Sequence, residues 1–224
     1  MKNKKKLGLL LLSLMIYGIS FGQEEAAAKS NTSFDLGVDF ASRYVWRGLE
    51  FSDSPAVQPY AEMTSGNFTL GIWASYETGG QVVGQEFDFY ASYSFGAVSL
   101  GFIDYSFPVD GASDGYFMMK NHIGEAMFSF DGVESFPVTF MLGVNVYNDD
   151  GNSVYTELGA PFTIGGTEMS AFIGGGNEIY SMDGDFAVTN FGISASKDIA
   201  ITDSFSLGAT ASAMYTNGTG GSFN

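Results

Sequence analysis

From Ser33 onward, apolar and small polar residues alternate with a period of two, not 3.6, which predicts strands. Phe34, Leu36, Val38 and Phe40 interleave with Asp35, Gly37, Asp39 and Ala41. Phe87, Phe89, Ala91, Tyr93 and Phe95 interleave with Glu86, Asp88, Tyr90, Ser92 and Ser94. The same pattern runs through Phe68–Tyr76 and Val138–Tyr147. Eleven strands are predicted, at 33–47, 56–63, 68–76, 86–95, 98–107, 116–130, 137–147, 153–163, 168–176, 186–198 and 205–216. Their lengths are close to the ~9–11 residues that a tilted strand needs to cross a bilayer. The connections alternate in kind. Tight turns are expected at 64–67, 96–97, 131–136, 164–167 and 199–204, and longer polar loops at 48–55, 77–85, 108–115, 148–152 and 177–185. Short turns on one side and long loops on the other predict an all-β, transmembrane, antiparallel up-and-down β-barrel.

The polar rows refine this expectation. They are mostly Gly, Ser, Thr, Asn and Tyr, which suit a crowded, partly wet lumen better than a surface in bulk water. A soluble β-sandwich is the competing reading of the same alternation. Aromatics near strand ends, such as Tyr44, Trp46, Tyr76, Tyr105 and Tyr215, fit interfacial girdles. Three features resist the scheme. Pro59 lies inside a strand and predicts a bulge. Asp104 falls on an outward position. Residues 116–122 do not alternate cleanly and are expected to project beyond the membrane.

Composition narrows the function classes. The 224 residues include 30 Gly, 21 Phe and 12 Tyr, and only 15% are charged. No Cys is present, which excludes disulfides, thiolate metal sites and thiol nucleophiles. A net charge of −16 argues against nucleic acid, which requires a basic surface. Lys2, Lys4, Lys5 and Lys6 precede an apolar run from Leu7 to Tyr17, and Ser20-Phe21-Gly22 places small residues before Gln23. Residues 1–22 therefore read as a secretory signal peptide. Residues 23–32 read as a flexible periplasmic lead-in, and 33–224 as the barrel. The expected location is the bacterial outer membrane. The expected partners are its lipid and lipopolysaccharide, small hydrophilic solutes, and the periplasmic chaperones and assembly machinery that any such barrel needs.

Charges on the lipid face would cost ~2–4 kcal/mol near the midplane, so the strand charges are assigned inward. Asp35, Asp39, Arg43 and Arg47 share one parity and would stack along the lumen face of the first strand. Glu62, Glu86, Asp88, Glu125, Glu157 and Glu168 complete the inward set. This excess of acid predicts a cation-preferring channel for passive diffusion. Interior ion pairs that hold the barrel's shape are the alternative for the arginines. A structural or ligand-binding barrel with a plugged lumen is the alternative for the whole protein.

The stretch Ser42-Arg43-Tyr44-Val45-Trp46-Arg47-Gly48, with the continuation Phe51 to Pro59, resembles the opening signature of the TorF family of porin-like proteins. In that family a strand ends in S-x-Y-x-x-R-G and is followed by a short polar loop and a Pro/Gln-containing strand. Ser42, Tyr44, Arg47 and Gly48 are the matching positions. Tyr155-Thr156-Glu157-Leu158 and Glu125-Ala126-Met127-Phe128 resemble the family's aromatic–Glu steps. The resemblance implies an outer-membrane barrel and carries over no catalytic residue. The Gln-Glu-Glu after the signal also resembles envelope proteins of the Bacteroidetes type.

Other chemistry is thin. His122, the one histidine, is expected in an exposed loop or rim and does not head a catalytic triad. The acidic loops at 148–152 and 178–185 lack a full calcium-loop pattern and read as solvated turns. Gly174-Gly175-Gly176 precedes no helix and is no dinucleotide motif. No enzyme activity, cofactor or metal is expected. Eleven strands is an odd number, whereas single-chain bacterial barrels use even ones. The reading is therefore nominally twelve strands, with residues 217–222 as an extracellular loop and a last strand missing beyond Asn224.

Overall fold

The computed structural model describes residues 31–80, 85–107 and 119–216. The predicted signal segment, most of the predicted lead-in and the loops predicted at 108–115 and 217–222 lie outside the described residues.

The chain is all-β. Its strands are β1 (Thr32–Ala41), β2 (Val45–Trp46), β3 (Leu49–Glu50), β4 (Ala56–Ser65), β5 (Phe68–Glu77), β6 (Glu86–Phe95), β7 (Val98–Ser106), β8 (His122–Phe130), β9 (Thr139–Tyr147), β10 (Val154–Ile164), β11 (Thr167–Gly176), β12 (Ala187–Thr202) and β13 (Phe205–Thr216). Eleven of these form one sheet in the order β1-β4-β5-β6-β7-β8-β9-β10-β11-β12-β13. Every ladder is antiparallel, and, with the β2–β3 pair set aside, each strand of the sheet pairs with the strand before and after it in sequence. The short pair β2–β3 stands apart as its own hairpin. Among the described residues, β1 and β13 are the two ends of the sheet order.

Register carries the alternation around the whole sheet. Leu36 lies opposite Ala61, Ala61 opposite Ile72, and Ile72 opposite Phe89, so one face is a continuous apolar row. That face is open: Phe34 is 74% exposed, Leu36 65% and Phe40 73%. Leu100, Phe102, Ile173, Phe191 and Ile193 continue it. The other face carries Asp35 opposite Glu62, Tyr60 opposite Trp73, and Asp88 opposite Tyr105. Glycines on this face make room for large neighbours. A side chain at Gly71 would collide with the Tyr90 ring, and one at Gly174 with the Tyr155 hydroxyl.

Four expectations need correction. The first strand leaves the sheet at Ala41, so the predicted 33–47 overshoots. Pro59 causes no bulge: Tyr60↔Trp73 keeps the register of Val57↔Tyr76, and Pro59 only interrupts the ladder. The register shifts fall instead at Gly124/Glu125, Gly174/Gly175 and Ala200/Thr202. His122 is a rim residue but is not exposed, being 1% accessible. Its Nδ1 lies 2.8 Å from Asp104 Oδ1, and this partner accounts for the acid on the outward face. Finally, the strand predicted at 116–130 begins only at His122, directly after a 3-10 turn at Met119–Asn121, and residues 116–118 lie outside the described residues.

Candidate functional site

The buried core lies between the sheet's inner face and the segment between β1 and β4. After Ala41 the chain turns inward and forms the β2–β3 hairpin, with Val45 opposite Glu50 and Trp46 opposite Leu49. The two linking residues, Arg47 and Gly48, have φ of 51° and 82°. A two-residue hairpin of the I′ kind needs positive φ at both positions, which glycine adopts freely and arginine does not. The surroundings of Arg47 explain why it holds this conformation.

Arg47 makes a bidentate pair with Glu125 of β8, at 2.5 and 2.8 Å. The two side chains are 7% and 1% exposed. Arg47 Nη1 also donates to the Tyr180 hydroxyl at 2.8 Å. The guanidinium carbon lies 4.4 Å from the Trp46 ring centroid and 5.0 Å from that of Tyr155, within cation–π range. Tyr105 donates a further bond to Glu125 at 3.2 Å. Burial holds the Tyr180 phenol above its ordinary range, so it meets Arg47 as a neutral hydroxyl. A charge pair removed from water is tolerated only when its remaining lone pairs and protons are also satisfied. Two tyrosines and two aromatic faces do that here.

The rest of the hairpin is wedged in by rings. Tyr44 stacks on Phe51 at 5.1 Å and packs on Trp73 at 5.4 Å. Trp46 meets Tyr105 edge-on at 5.4 Å and Tyr180 at 5.7 Å. The Tyr44 hydroxyl donates to Glu86 Oε2 of β6 at 2.7 Å, and its backbone N–H donates to Ser52 Oγ at 2.8 Å. At the tip, Thr216 of β13 donates to the Gly48 carbonyl, and a Cβ on Gly48 would press on Asn190 of β12. One hairpin thus touches β5, β6, β7, β8, β10, β12 and β13. A sheet whose strands converge in this way is rolled around the hairpin.

Several inward charges stand where their parity places them. Glu62 accepts from the Tyr90 hydroxyl at 3.0 Å, Asp35 from Tyr60 at 3.4 Å, and Glu157 from Tyr155 at 2.8 Å. Asp39 lies opposite Gln58, and Glu168 opposite Thr163 near the tight turns. The arginines do not stack on the first strand. Arg43 lies beyond its end, exposed and paired with Glu50 at 3.1 Å. Arg47 sits in the hairpin turn, which reverses the chain and breaks the parity count. Tyr180, Asn190 and Thr216 belong to the site but were not anticipated, because they are more than 130 residues away from the hairpin along the chain. Among the described residues, no group of three His, Asp or Glu side chains could hold a metal ion.

Together these features define an all-β protein built on one antiparallel meander, with an inward hairpin seated on a buried arginine. The chain belongs to the family described as bacterial protein of unknown function (Gcw_chp), whose family model matches residues 25–221. No curated protein and no solved structure matches it.

Proposed function

We propose that the protein is an outer-membrane β-barrel whose lumen is stoppered at its long-loop end by residues 42–51. The observation that carries this reading is the burial of the Arg47–Glu125 pair within the rolled sheet. A wide water path beside the hairpin would wet these groups. The many large apolar side chains exposed on one face, from Phe34 to Ile193, support a lipid environment, because a patch of that extent is rare on a soluble monomer. The alternation of tight turns and long loops, the signal-like N-terminus and the resemblance of Ser42–Gly48 to the TorF opening motif support the same placement.

The second reading, passive diffusion of small solutes, draws on the opposite half of the lumen. There Asp35 lies opposite Glu62, Glu168 opposite Ser196, and Ser194 opposite both Ser170 and Ser212, so acids stand beside a lining of small hydroxyl side chains. With both hairpin arginines paired to glutamates, the field of that half is acidic, and any solute admitted would be small and cationic.

Fractionation and vesicle swelling test the proposal. The protein should sediment with outer membranes and require detergent. Proteoliposomes containing it should swell no faster in a small sugar than empty ones. Monodisperse protein in detergent-free buffer contradicts the membrane reading, and rapid swelling contradicts the stopper.

A further inference from the structure

Beneath Tyr44 the inner face of β6 holds two carboxyl groups, Glu86 and Asp88, 4% and 3% exposed. They hydrogen-bond each other. Ionised carboxylates only accept, so this contact requires a proton between them. The Tyr44 hydroxyl donates to Glu86 at 2.7 Å, and the Ser106 backbone N–H donates to Asp88. Asp88 Oδ1 receives no N–H or hydroxyl. The elements packed on the pair bring no cation to it. β5 places Ser75 opposite Glu86 and Trp73 opposite Asp88, and its own Glu77 accepts from Ser54. β7 places Tyr105 opposite Asp88, and the adjoining Asp104 is held by His122. The hairpin segment contributes Tyr44, while its arginines pair with Glu50 and Glu125.

The two sides of this contact are held with unequal firmness. β6 is fixed by ladders to β5 and β7. The hairpin segment stands outside the large sheet, and its bonds close on itself. The Tyr44 N–H donates to Ser52 Oγ, and the Tyr44 carbonyl accepts from the Phe51 N–H at 2.9 Å. The Tyr44 ring packs on Phe51 and Trp73 and covers the acid pair. Two adjacent carboxylates buried this deeply cannot both be ionised without water or a counter-charge. Water reaches them by the route that the fold holds least firmly, which is displacement of Tyr44.

We propose that the proton shared by Glu86 and Asp88 is a latch on the stopper. With the proton in place the hairpin is seated. Its loss at alkaline pH releases Tyr44 and admits water along β5 and β6, while the Arg47–Glu125 pair still holds the tip. The inference rests on the stopper reading and adds its regulation. The sign follows from proton counts. Separate carboxyl groups of the unfolded chain have lost their protons by about pH 6, whereas the seated pair keeps one. The seat is therefore firmest in acid and weakens as pH rises through the titration of the pair.

The chain has two tryptophans, Trp46 and Trp73, and both belong to this core, so their emission reports the seat directly. The detergent-folded protein is followed from about pH 6 to about pH 9, below the ordinary titration of tyrosine at ~10. Over that range the emission should move to longer wavelength and become more open to quenching by acrylamide. The melting temperature should fall by about 3–5 °C, the shift that one pH unit of proton linkage gives for a chain of this size. Asp88→Asn leaves one charge and supplies an amide donor, so its emission and melting should stay flat. Glu86→Gln should do the same and serves if Asp88→Asn fails to fold. His122→Gln removes the chain's one histidine and should keep the response. In planar bilayers the wild type should be closed at the acid end of the range and conduct at the alkaline end. Flat emission and melting in the wild type would overturn the latch, as would a response that survives in Asp88→Asn and Glu86→Gln or disappears in His122→Gln. Equal wild-type conductance at both ends, with the optical response present, would overturn the stopper and the opening assigned to it, and leave the shared proton standing.

Discussion

The two ends of the sheet's inner face are built in different ways. Towards the long loops, the face bears Trp73, Asp88, Tyr105, Glu125, Asn145, Tyr155 and Asn190, all buried beneath or beside the hairpin. Towards the tight turns, the same strands present Thr64, Thr69, Ser94, Ser99, Ser196 and Thr210, which bond one another in cross-strand pairs. The first half is a dry core, with side chains fitted to each other across many strands. The second is a lining whose hydroxyl groups find partners one strand away. The backbone is continuous through both, so the difference lies in what faces it. A dry core responds to a lost charge or an added methyl, whereas a wet hydroxyl lining should not.

Breaking the ion pair should have the largest effect. Glu125→Ala leaves Arg47 buried without its carboxylate and should cost about 3–5 kcal/mol, read as a lower urea midpoint for the detergent-folded protein. The apolar double substitution Arg47→Met with Glu125→Leu should recover most of that loss, because no charge then remains in the core. A midpoint in Glu125→Ala equal to wild type would mean that the hairpin is not seated as described.

Overpacking the same half comes next. Gly174→Ala directs a methyl into the Tyr155 hydroxyl and to within 2.7 Å of Asn190 Oδ1. The expected loss is ~1–3 kcal/mol by the same measurement. In the hydroxyl-lined half, Ser194→Ala should stay within about 0.5 kcal/mol of wild type. If both variants shift equally, the contrast between the halves fails.

The smallest expected effect lies at the long-loop rim. Burial pushes the Asp149 carboxyl up, but hydrogen bonds from Ser153, Asn145 and the Gly151 N–H outweigh it and hold the group below its usual range. A depressed carboxyl stabilises the fold fully above the unfolded value of ~3.9 and loses that contribution as pH falls through the folded value. Hydrogen exchange at Gly151 and Ser153 should therefore be flat from pH 8 to 5, once corrected for intrinsic rates, and should accelerate below about pH 4. Asp149→Asn should remove that acid-induced step.

Much of the sheet was legible because period two is a strong signal when one face is apolar. The runs from Phe68 and from Phe87 have the bounds and faces that their alternation implies. The hairpin was not legible for the same reason. Arg43, Val45 and Arg47 continue the parity of Asp35 and Asp39, and periodicity does not distinguish a strand that stays in the sheet from one that turns inward. Arg47-Gly48 was the available clue, since Gly at the second position suits a two-residue turn. Within the S-x-Y-x-x-R-G stretch the structure gives three residues separate tasks: Tyr44 bonds Glu86, Arg47 pairs with Glu125, and Gly48 makes the turn. His122 was misjudged because its partner, Asp104, occupies a position that alternation assigns to lipid.

The most direct test of the stopper is conductance in planar bilayers, comparing wild type with a variant in which residues 44–51 are replaced by a Gly/Ser linker of equal length. The account predicts a silent wild type and a steady conductance in the variant. That current should prefer potassium over chloride at low salt and lose the preference near 1 M, where screening lengths fall to ~3 Å. A wild-type protein that conducts as well as the variant would contradict a lumen closed by its own hairpin.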